Sequence, residues 1–443
     1  MQPQFHFEAM VDALRASLAT FPDSRVGKNM HYEMLDAGAG AFSVFFTQCE
    51  SFLEHQRVME SRYGLSNAKT LFGMHAIPSD THIRDLLDIV PPMHLTSVFQ
   101  QCIQTADRSG VLKDFSVALG KEKKDLLIAL DGTWYISSEK VHCAQCSTKT
   151  KNGKTTYSHG MVNPAIVHPA NSHIFCLPPE FITPQDGDKK QDSEHKASKR
   201  WLDKHASFYL QFGGVTFVGD DLYCHEPMCR EILTVGGNFI LVCKPDSHKT
   251  LYGWTKGIRK TLKSETREGS KHYAYTYEYV EGVPLRDGED SLLVNFIEVT
   301  VINKKTGKQV YHNAFVTNHS LTDSTIPVIV ASGRARWKTE NENNNTLKNH
   351  GYNLEHNYGH GKHYLASLLA TLNILAYLFH TMLDFLNDKY RLLRTVIGSR
   401  RRFFNDIRTM VSYFCFQSFA NLLQFMEDGL KKPHLIENVK VPI

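Results

Sequence analysis

The sequence has almost no surplus charge: 50 Lys and Arg stand against 46 Asp and Glu, a net of +4. That excludes a polybasic tail and an acidic solvating chain, so any anionic partner has to be met by local patches. No charged segment followed by an apolar stretch and a small-residue cleavage site opens the chain, and the nine cysteines cannot all pair. Both absences predict a reducing, cytoplasmic setting. Internal repeats are lacking as well. Neither a phosphate-cradling glycine-rich loop nor a Ser-His-Asp arrangement stands out, which leaves ATP use and acyl transfer unsupported. What remains is a globular composition, 42% hydrophobic and 22% charged, over 443 residues. At about 150 residues per domain this length predicts two or three units.

Charge is also missing from Tyr364 to Leu383, twenty residues without Asp, Glu, Lys or Arg. The length suits a membrane span. However, Ser367, Thr371, Asn373, His380 and Thr381 interrupt the run and Asp384 follows it, so a buried core helix is expected and no membrane partner.

Organisation follows from periodicity. Phe5 to Thr20 and Phe42 to Glu60 repeat apolar positions at three and four, and Pro78-Ser79-Asp80 caps a further segment that Pro91-Pro92 ends. Residues 1–120 therefore read as a helical domain, and the first hundred are net acidic, seven Lys/Arg against eleven Asp/Glu. From 121 to 243 short apolar runs alternate with helical pattern: Leu126–Leu130 ending at Asp131-Gly132, Gly213 to Asp221, and Asn238 to Cys243. A strand-like Tyr157 to His168, a polar loop around Asp186 to Lys190 and a helical run from about Asp192 to Phe208 lie between the first two. This alternation predicts an α/β sheet with ligands at the carboxyl ends of its strands. Residues 244–330 read as a β-rich insertion, 331–388 as helices completing the α/β domain, and 389–443 as a basic helical region.

Asp131 and Asp220 each close a hydrophobic strand, and Glu340 lies in a segment read as opening a helix at Arg334, four residues after Arg336 and on its face. Three carboxylates from two strand ends and a helix could hold two divalent metals about 3.5–4 Å apart for phosphoryl transfer. Oxygen ligands suit Mg²⁺ or Mn²⁺. Each acid also has a plain reading as a turn former or helix cap, and Asp221 competes with Asp220.

The order of IALDGTWY, VTFVGDDLYCHEPMC, FILVCKPDSHKTLYGW, FVTNHSL and RARWKTENENNNTLKNHGYNLEHNYGHGK resembles the DDE transposases of bacterial insertion sequences, in the branch with a β-strand insertion before its catalytic Glu. That branch writes its catalytic helix as Tyr, two residues, Arg, three residues, Glu, six residues, Lys. Arg336 and Glu340 fit the middle; Gly333 stands in the Tyr place, and Lys348 follows Glu340 after seven residues. The resemblance spans roughly residues 75 to 385. It implies a ribonuclease-H-like catalytic domain and Asp131, Asp220 and Glu340 as the Mg²⁺ (or Mn²⁺) ligands. Asp220 is preferred over Asp221 because Tyr223 follows it by three. Double-stranded DNA, both element ends and target, is the implied substrate, bound by a homodimer in a synaptic complex. The alternative is a catalytically inactive or repurposed DNA-binding protein on the same fold.

Lys244 to Lys271 carries a net +5 with Tyr252 and Trp254 inside it, a mixture that suits phosphates and a stacked base. Trp254, Lys256, Arg259 and Lys260 are the candidates there; by resemblance Trp254 would hold a flipped base, otherwise it is an ordinary partly buried Trp. Lys389 to Arg408 carries +6, including Arg400, Arg401 and Arg402; Arg391, Arg394, Arg401 and Arg408 could line one helical stripe against phosphate or simply a solvated face. Arg336 and Lys348 would sit beside Glu340, as phosphate contacts or, for Arg336, a helix ion pair. Cys143-Ala-Gln-Cys146 followed by His159 after twelve intervening residues resembles a structural Zn²⁺ site, but the spacing from His159 to His168 is too long for a finger, and a hairpin tip carrying cysteines is the alternative. His356, His360 and His363 lack a zincin order, and the Asn357-Tyr358-Gly359-His360 segment reads as structural or as lining the substrate edge.

Overall fold

Short apolar runs in the middle of the chain form strands because both of their faces are covered, so nothing on them needs to be polar. In the computed structural model, which describes residues 7–26, 31–61, 63–120, 124–184, 192–268 and 271–431, the protein is mixed α/β with helical ends. The polar loop expected around Asp186 to Lys190 lies outside the described residues. Two compact units result. One comprises Leu112–Trp134 and His159–Asn344, the other Met1–Val111, Tyr135–Ser158 and Asn345–Ile443. The N-terminal and C-terminal helical segments thus fall in the same unit.

The strands in chain order are β1 (Ser116–Val117), β2 (Asp125–Ala129), β3 (Gly132–Ser138), β4 (Ser147–Lys151), β5 (Lys154–Val162), β6 (Ala165–Val167), β7 (Phe175–Cys176), β8 (Glu180–Ile182), β9 (Gly214–Gly219), β10 (Asn238–Val242), β11 (Lys260–Glu268), β12 (Lys271–Pro284), β13 (Leu293–Asn303) and β14 (Gln309–Thr317). The main sheet runs β11-β12-β13-β14-β10-β9-β2-β6-β7, with β1 beside β2. Among the described residues of this sheet, only β2, β9 and β10 pair parallel. Residues 244–330 do not make a sheet of their own: β14 pairs antiparallel with β10, Ile240 opposite Thr317, and carries three further strands outward. An uncovered β10 would have left a row of unpaired backbone groups.

Helices Glu194–Tyr209, Glu226–Thr234 and Thr325–Ala335 belong to this unit. Ser193 caps the first by accepting from the Lys196 amide. The helix expected to open at Arg334 begins earlier, at Thr325. Pro327 sits in its first turn, where the missing amide hydrogen is not needed. After Ala335 the helix loosens, and Thr339–Asn344 forms a π-helical turn.

In the other unit the uncharged stretch forms helix Leu365–Leu386, and 94% of its most apolar window is buried. Its main neighbour is the apolar helix Met34–Phe46. Phe379 meets Phe42 at 5.0 Å and Phe7 at 6.4 Å. Its buried polar residues are partly paired: Tyr352 Oη lies 2.6 Å from His380 Nδ1 and Asn373 donates to the Tyr352 carbonyl at 2.8 Å, while Asn373 Oδ1 and His380 Nε2 make no hydrogen bond among the described residues. Burial, aided by Arg400 and Arg394, holds the His380 imidazole well below its usual pKa. The basic segment is not one helix. Asp388–Ile397 ends at Gly398, whose φ of 72° is left-handed, and Ser399 caps a new helix, Arg400–Tyr413. The arginine stripe across 391–408 is therefore broken.

Candidate active site

Parallel pairing fixes the first two carboxylates. Ala129 lies opposite Val218, and the Leu130 amide donates to the Val218 carbonyl at 2.9 Å. Carried two residues further, that register sets Asp131 opposite Asp220 on strands about 4.8 Å apart. Asp220 accepts from the Leu222 amide at 2.9 Å, a turn that fixes its side chain. Asp221 is committed elsewhere: its carboxylate accepts from the Lys244 amide at 2.6 Å and Ser247 Oγ at 2.5 Å, and lies 3.5 Å from His248 Nε2.

Glu340 reaches the same place from the helical side. Arg336 Nη1 lies 2.9 Å from Glu340 Oε1 and 3.6 Å from Asp131 Oδ1. Laid end to end, those contacts leave the two oxygens no more than about 6.5 Å apart, within reach of a pair of ions about 3.5–4 Å apart. Nη1 makes no hydrogen bond among the described residues, so both contacts are purely ionic. The π turn also aims the asparagines inward: Asn344 donates to Asp131 Oδ2 at 3.1 Å and accepts from Asn163 at 3.0 Å. A widened turn moves these side chains onto one side, a device common at functional sites.

Sequence reasoning missed a fourth acid. Glu194 opens helix Glu194–Tyr209 and accepts from Tyr223 Oη at 2.7 Å, while Ser198 donates to that same hydroxyl oxygen at 3.1 Å. The Gly132 amide also donates to Glu194. A Cβ on Gly132 would lie 2.1 Å from Glu194 Oε2, so glycine leaves the carboxylate room beside Asp131 and a larger residue would push its flexible end aside. An acid in a first helical turn is ordinary dipole complementation, which hid it; the available signal was Tyr223, whose hydroxyl serves Glu194.

Electrostatics mark this cluster as short of positive charge. Burial pushes the Asp131 carboxyl up to about 7, the Arg336 cation opposes it, and the charges of Glu194, Glu340 and Asp220 add to the rise. Burial likewise raises Glu194, against the Tyr223 hydrogen bond and with Asp220 adding to the rise. A hard divalent cation matches this all-oxygen, anionic donor set. No family model matches the chain, and no curated protein does.

The other candidate residues divide. Trp254 projects from helix Lys249–Thr255 and is 56% exposed, with Lys256 and Lys260 exposed close behind it. Arg259, expected to meet phosphate, is instead engaged inside the unit: it pairs with Glu298, lies 3.6 Å from Glu278 and covers the Phe296 ring at 4.8 Å. Arg400 is also engaged, donating to Tyr352 Oη at 2.8 Å and lying over the Tyr352 and Tyr377 rings. Long apolar-stemmed cations bury readily against aromatic faces. Arg401 and Arg402 remain exposed. Lys348 pairs with Glu355 at 2.8 Å. Cys143, Cys146 and His159 come together as the Zn²⁺ reading requires, and His360 joins them.

Proposed function

We propose that the protein is a DNA transposase that hydrolyses phosphodiester bonds at element ends and joins the freed 3′ hydroxyl to target DNA. The carrying observation is the convergence of Asp131 and Glu340 on Arg336, with Asp131 and Asp220 following the ends of the neighbouring parallel strands β2 and β9 and Asp220 acting electrostatically on Asp131. A ribonuclease-H-like core is the finer fold reading. It is supported by the run β7-β6-β2-β9-β10, antiparallel up to β2 and parallel beyond it, with acids at the ends of its neighbouring parallel strands and a third acid after the extra strands.

Asp131, Asp220 and Glu340 would hold Mg²⁺ (or Mn²⁺). When bound, a pair of such ions supplies an activated attacking oxygen and a stabilised leaving oxygen. The chain's own residues do the positioning. Asn344 fixes the Asp131 carboxylate, Gly132 leaves space for Glu194, and Glu194 adds negative charge that strengthens cation binding. Arg336 neutralises Asp131 and Glu340 and is placed to meet a phosphate oxygen. Trp254 with Lys256 and Lys260 offers an exposed ring beside cations, suited to stacking a displaced base on double-stranded DNA. Pairing of two copies in a synaptic complex comes with the resemblance, and a cytoplasmic location rests on the nine cysteines, which cannot all pair.

Incubation of the purified protein with supercoiled plasmid and Mg²⁺ tests the proposal. Nicking or linearisation is expected from the native protein and not from Asp131→Asn; equal cleavage by both would remove the catalytic reading. DNA binding without cleavage would favour the inactive descendant.

A further inference from the structure

The hairpin β4–β5 turns at Asn152-Gly153, both with positive φ (52° and 75°), which sets a two-residue connection and hence a fixed register. Lys151 pairs with Lys154 and Ser147 with Ser158. One step further, that register sets Cys146 opposite His159, so the twelve-residue spacing between them is the length of the hairpin. Cys143 closes back on Cys146 through a tight turn, their sulfurs 3.9 Å apart. His360 arrives from 214 residues away, its Nε2 3.4 Å from Cys146 Sγ. The four residues each offer one ligand atom, all within 4.8 Å of one another.

We infer that Cys143, Cys146, His159 and His360 form a structural Zn²⁺ site. Zn–S bonds of about 2.3 Å and Zn–N bonds of about 2.0 Å in a tetrahedron require S···S near 3.8 Å and S···N near 3.5 Å. The Cys143–Cys146 and Cys146–His360 separations, 3.9 and 3.4 Å, match those edges. Both sulfurs also accept backbone amides, Cys146 from Cys143 at 3.4 Å and Cys143 from Gln145 at 3.3 Å. Amide donors stabilise thiolate, the form that binds metal. The segment that carries His360 is itself held in place. Asp88 accepts from the amides of Lys362, His363 and Leu365, and Arg84 donates to the Tyr358 carbonyl. The ion would clamp the open end of this hairpin to a segment far along the chain. Cys224, Cys243 and His248 form a second cluster, but with three ligands and full burial. This site is independent of DNA cleavage.

The test is metal content and cobalt spectroscopy of the full chain. One zinc per chain is expected. Co²⁺ exchange should give a thiolate charge-transfer band and the intense d–d bands of tetrahedral cobalt. Removing a ligand should cost at least the tenfold or so that loss of a supporting residue costs, so His360→Ala and His159→Ala should weaken zinc that far, and Cys143→Ser with Cys146→Ser should abolish the band. His363→Ala, a neighbour outside the cluster, should change neither. The inference is overturned by zinc at trace levels, by cobalt spectra of six-coordinate type in the unsubstituted protein, or by a thiolate band that survives the double cysteine substitution, which would assign the metal to Cys224 and Cys243. Because the unsubstituted protein alone gives two of these readouts, a variant that fails to fold leaves the test intact.

Discussion

Replacing Asp131 with asparagine should stabilise the metal-free protein, and increasingly so as pH rises. In the folded chain burial and three neighbouring carboxylates move the Asp131 carboxyl from 3.8 up to about 7. At 1.36 kcal/mol per pH unit that displacement amounts to at most about 4 kcal/mol. Its sign follows from proton counting. Between these values the unfolded chain has released the proton and the folded chain still holds it, so stability falls as pH rises, by up to about 1.4 kcal/mol per unit. Asparagine has no proton to release, and the side chain is only 15% exposed, so solvent does little to screen the effect. The stability difference between Asp131→Asn and the native chain should therefore widen from about pH 4 to about pH 7 and then level off. Hydrogen exchange of the β2 amides in EDTA reads it locally, without assuming that the two units unfold together. A difference that stays flat with pH, or that favours the native chain as pH rises, would refute the reasoning. Added Mg²⁺ should close the gap by stabilising only the native chain.

Gly132→Ala should leave the fold intact yet displace the flexible end of Glu194, since the new Cβ would lie 2.1 Å from its oxygen; plasmid cleavage should fall with it, and Glu194→Gln should show the same loss. Arg400→Ala should cost about 1.5–3 kcal/mol by urea denaturation, because it removes a charged hydrogen bond to Tyr352, whereas Arg401→Ala should stay within about 0.5 kcal/mol. Trp254→Ala should leave stability within the same margin and weaken binding of a single-stranded oligonucleotide by about 1–3 kcal/mol, measured by fluorescence anisotropy.

The parallel core was legible because a strand buried on both faces is written as an unbroken apolar run, and Asp131 and Asp220 mark where those runs stop. Glu340 was legible only through its Arg-x3-Glu motif; the periodicity began its helix nine residues late, at Arg334 in place of Thr325. Non-local partnerships were not legible. Nothing in 309–317 announces that this segment pairs with β10, and nothing near His360 announces a Cys pair more than two hundred residues earlier. Glu194 looked like a helix-start acid, and Asn344 like part of a polar run, because their roles depend on what β2 and β9 bring opposite them. Charge counting found the basic stretches but could not say that Arg259 and Arg400 would turn onto aromatic rings while Lys256, Lys260 and Arg401 stayed in solvent.

Anomalous diffraction from crystals soaked in Mn²⁺ tests the central claim most directly. The account predicts two peaks about 3.5–4 Å apart, bridged by Asp131 and Asp220 with Glu340 on one of them, and their loss in Asp131→Asn. Manganese absent from this cluster, or bound there unchanged in the variant, would contradict it.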